Sequence, residues 1–148
     1  MSWRDGVSDQ AQADLDGLLD LCLRCAVDAL TKHGQVIPFG ASVDTDGKMT
    51  LVAFAADDDE TDPRVYSAGV IDGLRQQRDT LRAAAVTLGV RTETDNVPAI
   101  RVVLETPNEV SLGVDMPFSL RKIGKPPKTG DLRLSMSMRN VWSDNPTT

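Results

Sequence analysis

Between Ser8 and Gly34 the apolar residues recur at Leu15, Leu18, Leu19, Cys22, Cys25, Ala26, Ala29 and Leu30, the spacing of one helical face. Ser8 offers an N-cap oxygen and Gly34 a left-handed stop, so the pattern predicts a first helix. Asp14, Asp16, Asp20, Arg24, Asp28 and Lys32 fall on its outer side, and Gly17 weakens its early turns. Two short apolar stretches follow, 36–43 and 48–55, on either side of Asp44-Thr45-Asp46-Gly47, which is the turn chemistry of a β-hairpin. Pro38 has no N–H for a ladder, so the first strand is an edge or starts after it. Beyond the acidic loop 57–62, Thr61 or Asp62 followed by Pro63 marks a second helix start. Val70, Leu74, Gln77, Leu81, Ala84, Ala85 and Leu88 continue at helical spacing to about Gly89, with Arg75, Gln76, Asp79 and Arg82 facing outward.

Past Gly89 the period changes to two. Ile100, Val102 and Leu104 alternate with Arg101, Val103 and Glu105, and Val110, Leu112 and Val114 with Glu109, Ser111 and Asp115, the turn between them being Thr106-Pro107-Asn108. The segment 90–94 reads as a further strand. The clearest alternation is the last, Leu132, Leu134, Met136 and Met138 against Arg133, Ser135, Ser137 and Arg139. The order α-β-β-α-β-β-β predicts an α+β two-layer sandwich in one domain, 1–148. Its largely antiparallel sheet has about five strands, and both helices pack on one face. Residues 1–7 and 143–148 are expected to fray. In this arrangement the opposite face, with Glu93, Arg101, Glu105, Glu109, Arg133, Ser135 and Arg139, is left open to water or a partner. The element order is similar to that of small roadblock or profilin-like scaffolds, a likeness of order without a matching motif.

Charge changes this picture. The chain of 148 residues has a net charge of −6, which argues against nucleic-acid binding, since neutralising phosphates takes a concentrated cationic face. Residues 1–74 hold 5 Lys/Arg against 14 Asp/Glu, a balance of −9, whereas residues 75–148 hold 11 against 8, a balance of +3. Each half has one charged loop. Asp57, Asp58, Asp59 and Glu60 form the acidic one, and Arg121, Lys122, Lys125 and Lys128 crowd the Pro/Gly-rich segment 119–130. Both are candidate partner-binding groups.

Other candidates reduce to structure. Cys22 and Cys25 have CxxC spacing, but they sit several turns inside a helix on its apolar side, where a thiol is a small core hydrophobe. With His33 as the single histidine, a zinc site lacks ligands. His33 suits the C-terminal dipole of the first helix. Aligning Gly47 with the bend of a calcium loop places Ser42 and Ala53 at ligand positions, which fails. Gly69 and Gly73 are spaced for close approach of a neighbouring element, and Trp3 and Trp142 serve to anchor the termini or join an interface.

No nucleophile motif, cofactor fingerprint or membrane-length apolar run is present, and no cofactor or metal is expected. The sequence therefore points to a cytoplasmic, non-enzymatic protein-interaction domain that binds a protein partner or itself, with neither nucleic acid nor membrane as partner. An acidic immunity or antitoxin-like protein is one form of this reading. The alternative is a small-ligand-binding protein or enzyme holding an anion in a pocket near 119–130, through Arg121 and Lys122.

Overall fold

The computed structural model describes residues 3–122, 124–136 and 139–143. Helix α1 (Asp9–His33) starts where Ser8 Oγ accepts the Ala11 N–H and stops at Gly34, whose φ of 72° lets its N–H donate to the Leu30 carbonyl. Strands β1 (Phe39–Asp44) and β2 (Met49–Val52) form the expected hairpin. Its turn closes with the Gly47 N–H on the Asp44 carbonyl, Gly47 taking the left-handed conformation. One Asp44 carboxylate oxygen accepts the Asp46 and Lys48 N–H groups, so this acid is used by the turn itself. As expected, β1 begins just past Pro38. Helix α2 (Pro63–Gln77) has Asp62 as its N-cap and Pro63 in its first turn.

Helix α2 is shorter than the sequence pattern predicts. A 3-10 turn (Arg78–Thr80) ends it, with Thr80 Oγ1 donating to the Gln77 carbonyl, and the chain enters β3 (Leu81–Arg91). Leu81, Ala84, Ala85 and Leu88 thus belong to a strand. The remaining strands are β4 (Pro98–Glu105), β5 (Ser111–Ser119), β6 (Lys128–Thr129) and β7 (Arg133–Met136). All pairings are antiparallel, in the order β2-β1-β3-β4-β5, and β6 and β7 share the outer edge of β5 as two parts of one interrupted strand. The segment 90–94 only completes β3 and its turn, while the expectation for 137–138 and for 144–148 falls outside the described residues.

The α+β class and the antiparallel sheet agree with the sequence pattern, and the layering differs. Leu15, Leu18, Cys22, Ala26 and Leu30 of α1 pack on Ala41, Val43, Ala83, Ala85, Ile100, Val102, Leu112 and Val114. Val70 and Leu74 of α2 pack with Leu81, Ala84, Val86 and Val141. Successive strand residues point to opposite faces, so α1 and α2 cover opposite sides of the sheet. A bulge between Val43 and Asp44 against β3 places Arg82 on the α1 side, where its guanidinium meets Asp14 at 2.8 and 3.0 Å. Asp14, expected on the outer side of the helix, is buried by this pairing.

The face expected to be open is partly closed as well. Glu105 is 2% exposed and accepts the N–H groups of Asn140, Val141 and Trp142 at 2.8, 3.0 and 2.7 Å. Arg75 and Arg78 hold the same strap by the Ser143 and Val141 carbonyls, and Arg139 donates to the Thr106 carbonyl. Glu109 is drawn away to the N-terminus of α1, where it accepts the Ser8 N–H and hydroxyl. At the other end of the chain Trp3 and Val7 pack against the α1-side core, and Arg4 pairs with Asp16 at 2.8 Å. Trp3 and Trp142 thus pack against the cores near the two ends of the chain, the anchoring role that was one of the two expected of them.

Candidate interaction surface

Strand β2 lies at one margin of the sheet, and among the described residues no strand pairs with its outer side. The Asp44 N–H donates to the Lys48 carbonyl at 3.0 Å. Because hydrogen-bonded and non-hydrogen-bonded pairs alternate in an antiparallel ladder, Thr50 and Val52 turn their backbone groups toward β1, and Met49 and Leu51 turn theirs outward. The run from Met49 to Ala56 contains neither charge nor proline. Edge strands are ordinarily blunted by one or the other, because outward N–H and C=O groups template further pairing.

The side chains beside this edge are apolar on both faces. On the α1 side Leu51 is 51% exposed and Met49 37%. Met49 reaches over Gly17, where a Cβ would lie 2.9 Å from its terminal methyl, a contact that this flexible side chain can give way to. Next to Leu51 a cleft of about 500 Å³ opens between α1 and the hairpin, walled by Cys25, Ala29, His33, Val36, Ile37, Phe39 and Ala53. Cys25, read from sequence as core, is half-buried in this wall, while Cys22 is fully buried as expected. On the α2 side the ring of Phe54 lies over Gly69, where a Cβ would come within 2.2 Å of it, and meets Tyr66 edge-on at 6.5 Å. Gly69 serves close approach, whereas a Cβ at Gly73 meets nothing within 4 Å.

Acids flank the apolar edge at both ends. Asp44 and Asp46 sit in its turn, and Asp57, Asp58, Asp59 and Glu60 follow its last residues, so residues 44–62 carry seven acids and one lysine. The carboxylates of Asp57, Asp58 and Asp59 form no ion pair among the described residues and stay exposed. Asp62 is different, since the Arg64 guanidinium holds its carboxyl below the ordinary range.

The basic candidates lie elsewhere. Arg121, Lys122, Lys125 and Lys128 are exposed, and of them Lys128 lies in β6, at the margin of the sheet opposite β2. Their loop is tied back onto α1 by the Gly124 N–H on the Thr31 carbonyl at 2.9 Å. A cavity of about 650 Å³ opens where the loop leaves β5, but only Ser119 and Leu120 of the loop line it, among Leu30, Val36, Ile100 and Phe118. Among the described residues, none of the four cations lines this cavity.

What remains uncovered of the second face is a polar groove of about 380 Å³ over β4, β5 and β7. There Arg101 grips Asp115 with two hydrogen bonds of 2.8 and 2.9 Å, which raise the guanidinium further above its ordinary value. Arg133 pairs with Asp95 at 2.9 Å, and hydrogen bonds from Thr92 and Arg133 keep that carboxyl below the usual range. Each strong charge in the groove already has a partner, which leaves it less suited to bind a ligand than the β2 edge.

Comparison with known proteins found no matching family profile, curated protein or solved structure. Among the described residues no group of three or more His, Cys, Asp or Glu is arranged to hold a metal ion, and no helix is long and apolar enough to cross a membrane. Sequence reasoning named the acids of this surface and missed its apolar half, Met49, Leu51 and Phe54. The available signal was the uncharged run behind the hairpin, which a strand needs only if it is buried or paired.

Proposed function

We propose that this protein is a cytoplasmic interaction domain that binds a basic protein partner by accepting an extended segment of it as a further strand on the β2 edge. The observation that carries the reading is the conjunction of outward backbone groups, exposed Met49 and Leu51, and acids at both ends of the same edge. Strand addition draws affinity from main-chain hydrogen bonds and specificity from pockets for alternate side chains. The cleft beside Leu51 is such a pocket, since side chains of the added strand that point to the α1 face enter it. The acids supply steering, because oppositely charged partners associate fast and in a salt-sensitive way. An inhibitor that neutralises a basic protein, in the manner of an immunity protein or antitoxin, is one form that this activity takes.

The test uses two synthetic peptides with the same core of alternating apolar residues, one flanked by lysines and one by glutamates. The lysine-flanked peptide binds, protects the Met49 and Leu51 amides from hydrogen exchange, and loses on-rate as salt is added, whereas the glutamate-flanked peptide does not bind. Converting Asp57, Asp58 and Asp59 together to Asn slows association while leaving the melting temperature in place. Equal binding of the two peptides, or protection of amides away from β2, rejects the reading.

A further inference from the structure

The chemistry required of the partner, an apolar strand flanked by cations, is present on this chain itself. At the far margin of the sheet β7 exposes Leu134, 58% accessible, with Leu132 just before it at 47%. Among the described residues no strand pairs with the outer side of β7. The segment leading into it holds Arg121, Lys122, Lys125 and Lys128. We infer that a second copy of this chain occupies the β2 edge, docking its own β7 there, an inference that rests on the strand-addition reading above.

Direction, face and charge agree on this arrangement. Every pairing from β2 across to β7 is antiparallel and the sheet has six positions, so its two marginal strands run in opposite directions. A copy placed beside the first with the same face up therefore meets β2 with an antiparallel β7, and the ladder continues without a change of pattern. Leu134 pairs in register with Val114, whose side chain belongs to the α1-side core, so Leu134 stands on the α1 face. Leu51 stands on that face too, since it lines the cleft with Cys25 and Ala29 of α1. Docking thus places the two leucine-bearing edges side by side on one face. The chain leaves β2 toward the acids 57–60 and enters β7 from β6, which begins at Lys128, so antiparallel docking brings Lys128 of one copy to the acid-bearing end of β2 of the other. Pairing of β2 with β2 would instead set acids near acids, which disfavours a two-fold dimer. The contact is heterologous and does not close at two copies, so mass rises stepwise with concentration.

Two variants test this, Leu51→Asp and Leu134→Asp, each placing a charge on one exposed edge position. The unmodified chain shows concentration-dependent mass by sedimentation, and that self-association weakens as salt rises to about 1 M, where screening lengths fall to about 3 Å. Each variant alone is a monomer with the melting temperature of the parent. Their equimolar mixture forms a 1:1 dimer and nothing larger, because one intact β7 meets one intact β2. Self-association of Leu134→Asp alone, through β2, or of Leu51→Asp alone, through β7, overturns the heterologous contact. A parent chain that stays monomeric at every concentration overturns self-docking. If the lysine-flanked peptide still protects the β2 amides in that case, the strand-addition reading survives, and if it does not, both fall together.

Discussion

The two cysteines show how one helix gives the same residue type two characters. Cys22 faces the sheet at 0% exposure, and burial pushes its thiol up from 9.0 to about 11, because the thiolate would lose its hydration there. Cys25, less than one turn further, looks into the cleft beside Leu51. The thiolate is the reactive form, so a mild alkylating reagent near pH 8 modifies Cys25 in the folded protein and reaches Cys22 only after unfolding. Peptide mapping after iodoacetamide treatment checks this, and equal labelling of both in native buffer contradicts it. The same shift makes stability depend on pH. Below about pH 9 the Cys22 thiol is protonated whether the chain is folded or not, and its contribution is fully present. Between about 9 and 11 the unfolded chain releases a proton that the folded chain keeps, so stability falls as pH rises through that window. Urea midpoints of the parent and Cys22→Ala therefore converge with rising pH there, since the alanine variant lacks this titration.

At the level of elements, what could be read from the sequence depended on whether an element has one covered face or two. Helix α1 and the β1–β2 hairpin were legible because their stops are local: Ser8, Gly34 and Gly47 each act through their own backbone. Strands β4 and β5 alternate visibly where Arg101 and Asp115 stand on the less covered face. Strand β3 was misread because α1 lies on Ala83 and Ala85 while α2 lies on Ala84 and Val86, so both its faces are apolar and no period of two survives. Four of its residues then matched a helical stripe by spacing alone. Glu105 and Glu109 were misplaced for a different reason: their partners, Asn140 to Trp142 and Ser8, come from distant parts of the chain, and pairing at such range leaves no mark on local pattern. The acids 57–60 were found because a charge run is visible in sequence, whereas the apolar edge they flank becomes a surface only once β2 is known to be marginal. Val86 separates the two readings of β3 experimentally. On the helical reading it points outward and Val86→Lys is nearly neutral, whereas at 4% exposure in a central strand it leaves a charge unpaired in the α2-side core. The strand requires a loss of stability well above the ~1 kcal/mol of an average substitution, read from the urea midpoint.

Over the whole molecule the sheet separates two cores of unequal size. Among the described residues the α1 side gathers sixteen buried hydrophobic residues, including Leu15, Ile100 and Leu104, and the α2 side six, of which Val141 comes from the strap at 139–143. The smaller core thus depends on a segment that, among the described residues, no strand pairing holds. Besides the packing of Val141 and Trp142, its attachment is polar: three backbone N–H groups on the buried Glu105 carboxylate, and the Arg75 and Arg78 guanidiniums on carbonyls of the strap. Hydrogen bonds to a charged group contribute about 1.5–3 kcal/mol each, and a buried donor left without a partner adds a desolvation cost. Local opening free energies follow such differences in buried contact, so the α2 side is expected to open before the α1 side. Glu105→Ala removes the anchor without touching the larger core. Native-state hydrogen exchange of that variant should show the amides of residues 140–142 and of α2 losing protection most, while those of α1 between Leu15 and Ala26 fall only as far as the global stability does. An equal loss in both helices would mean that the two cores open together and that the sheet transmits the change from one face to the other.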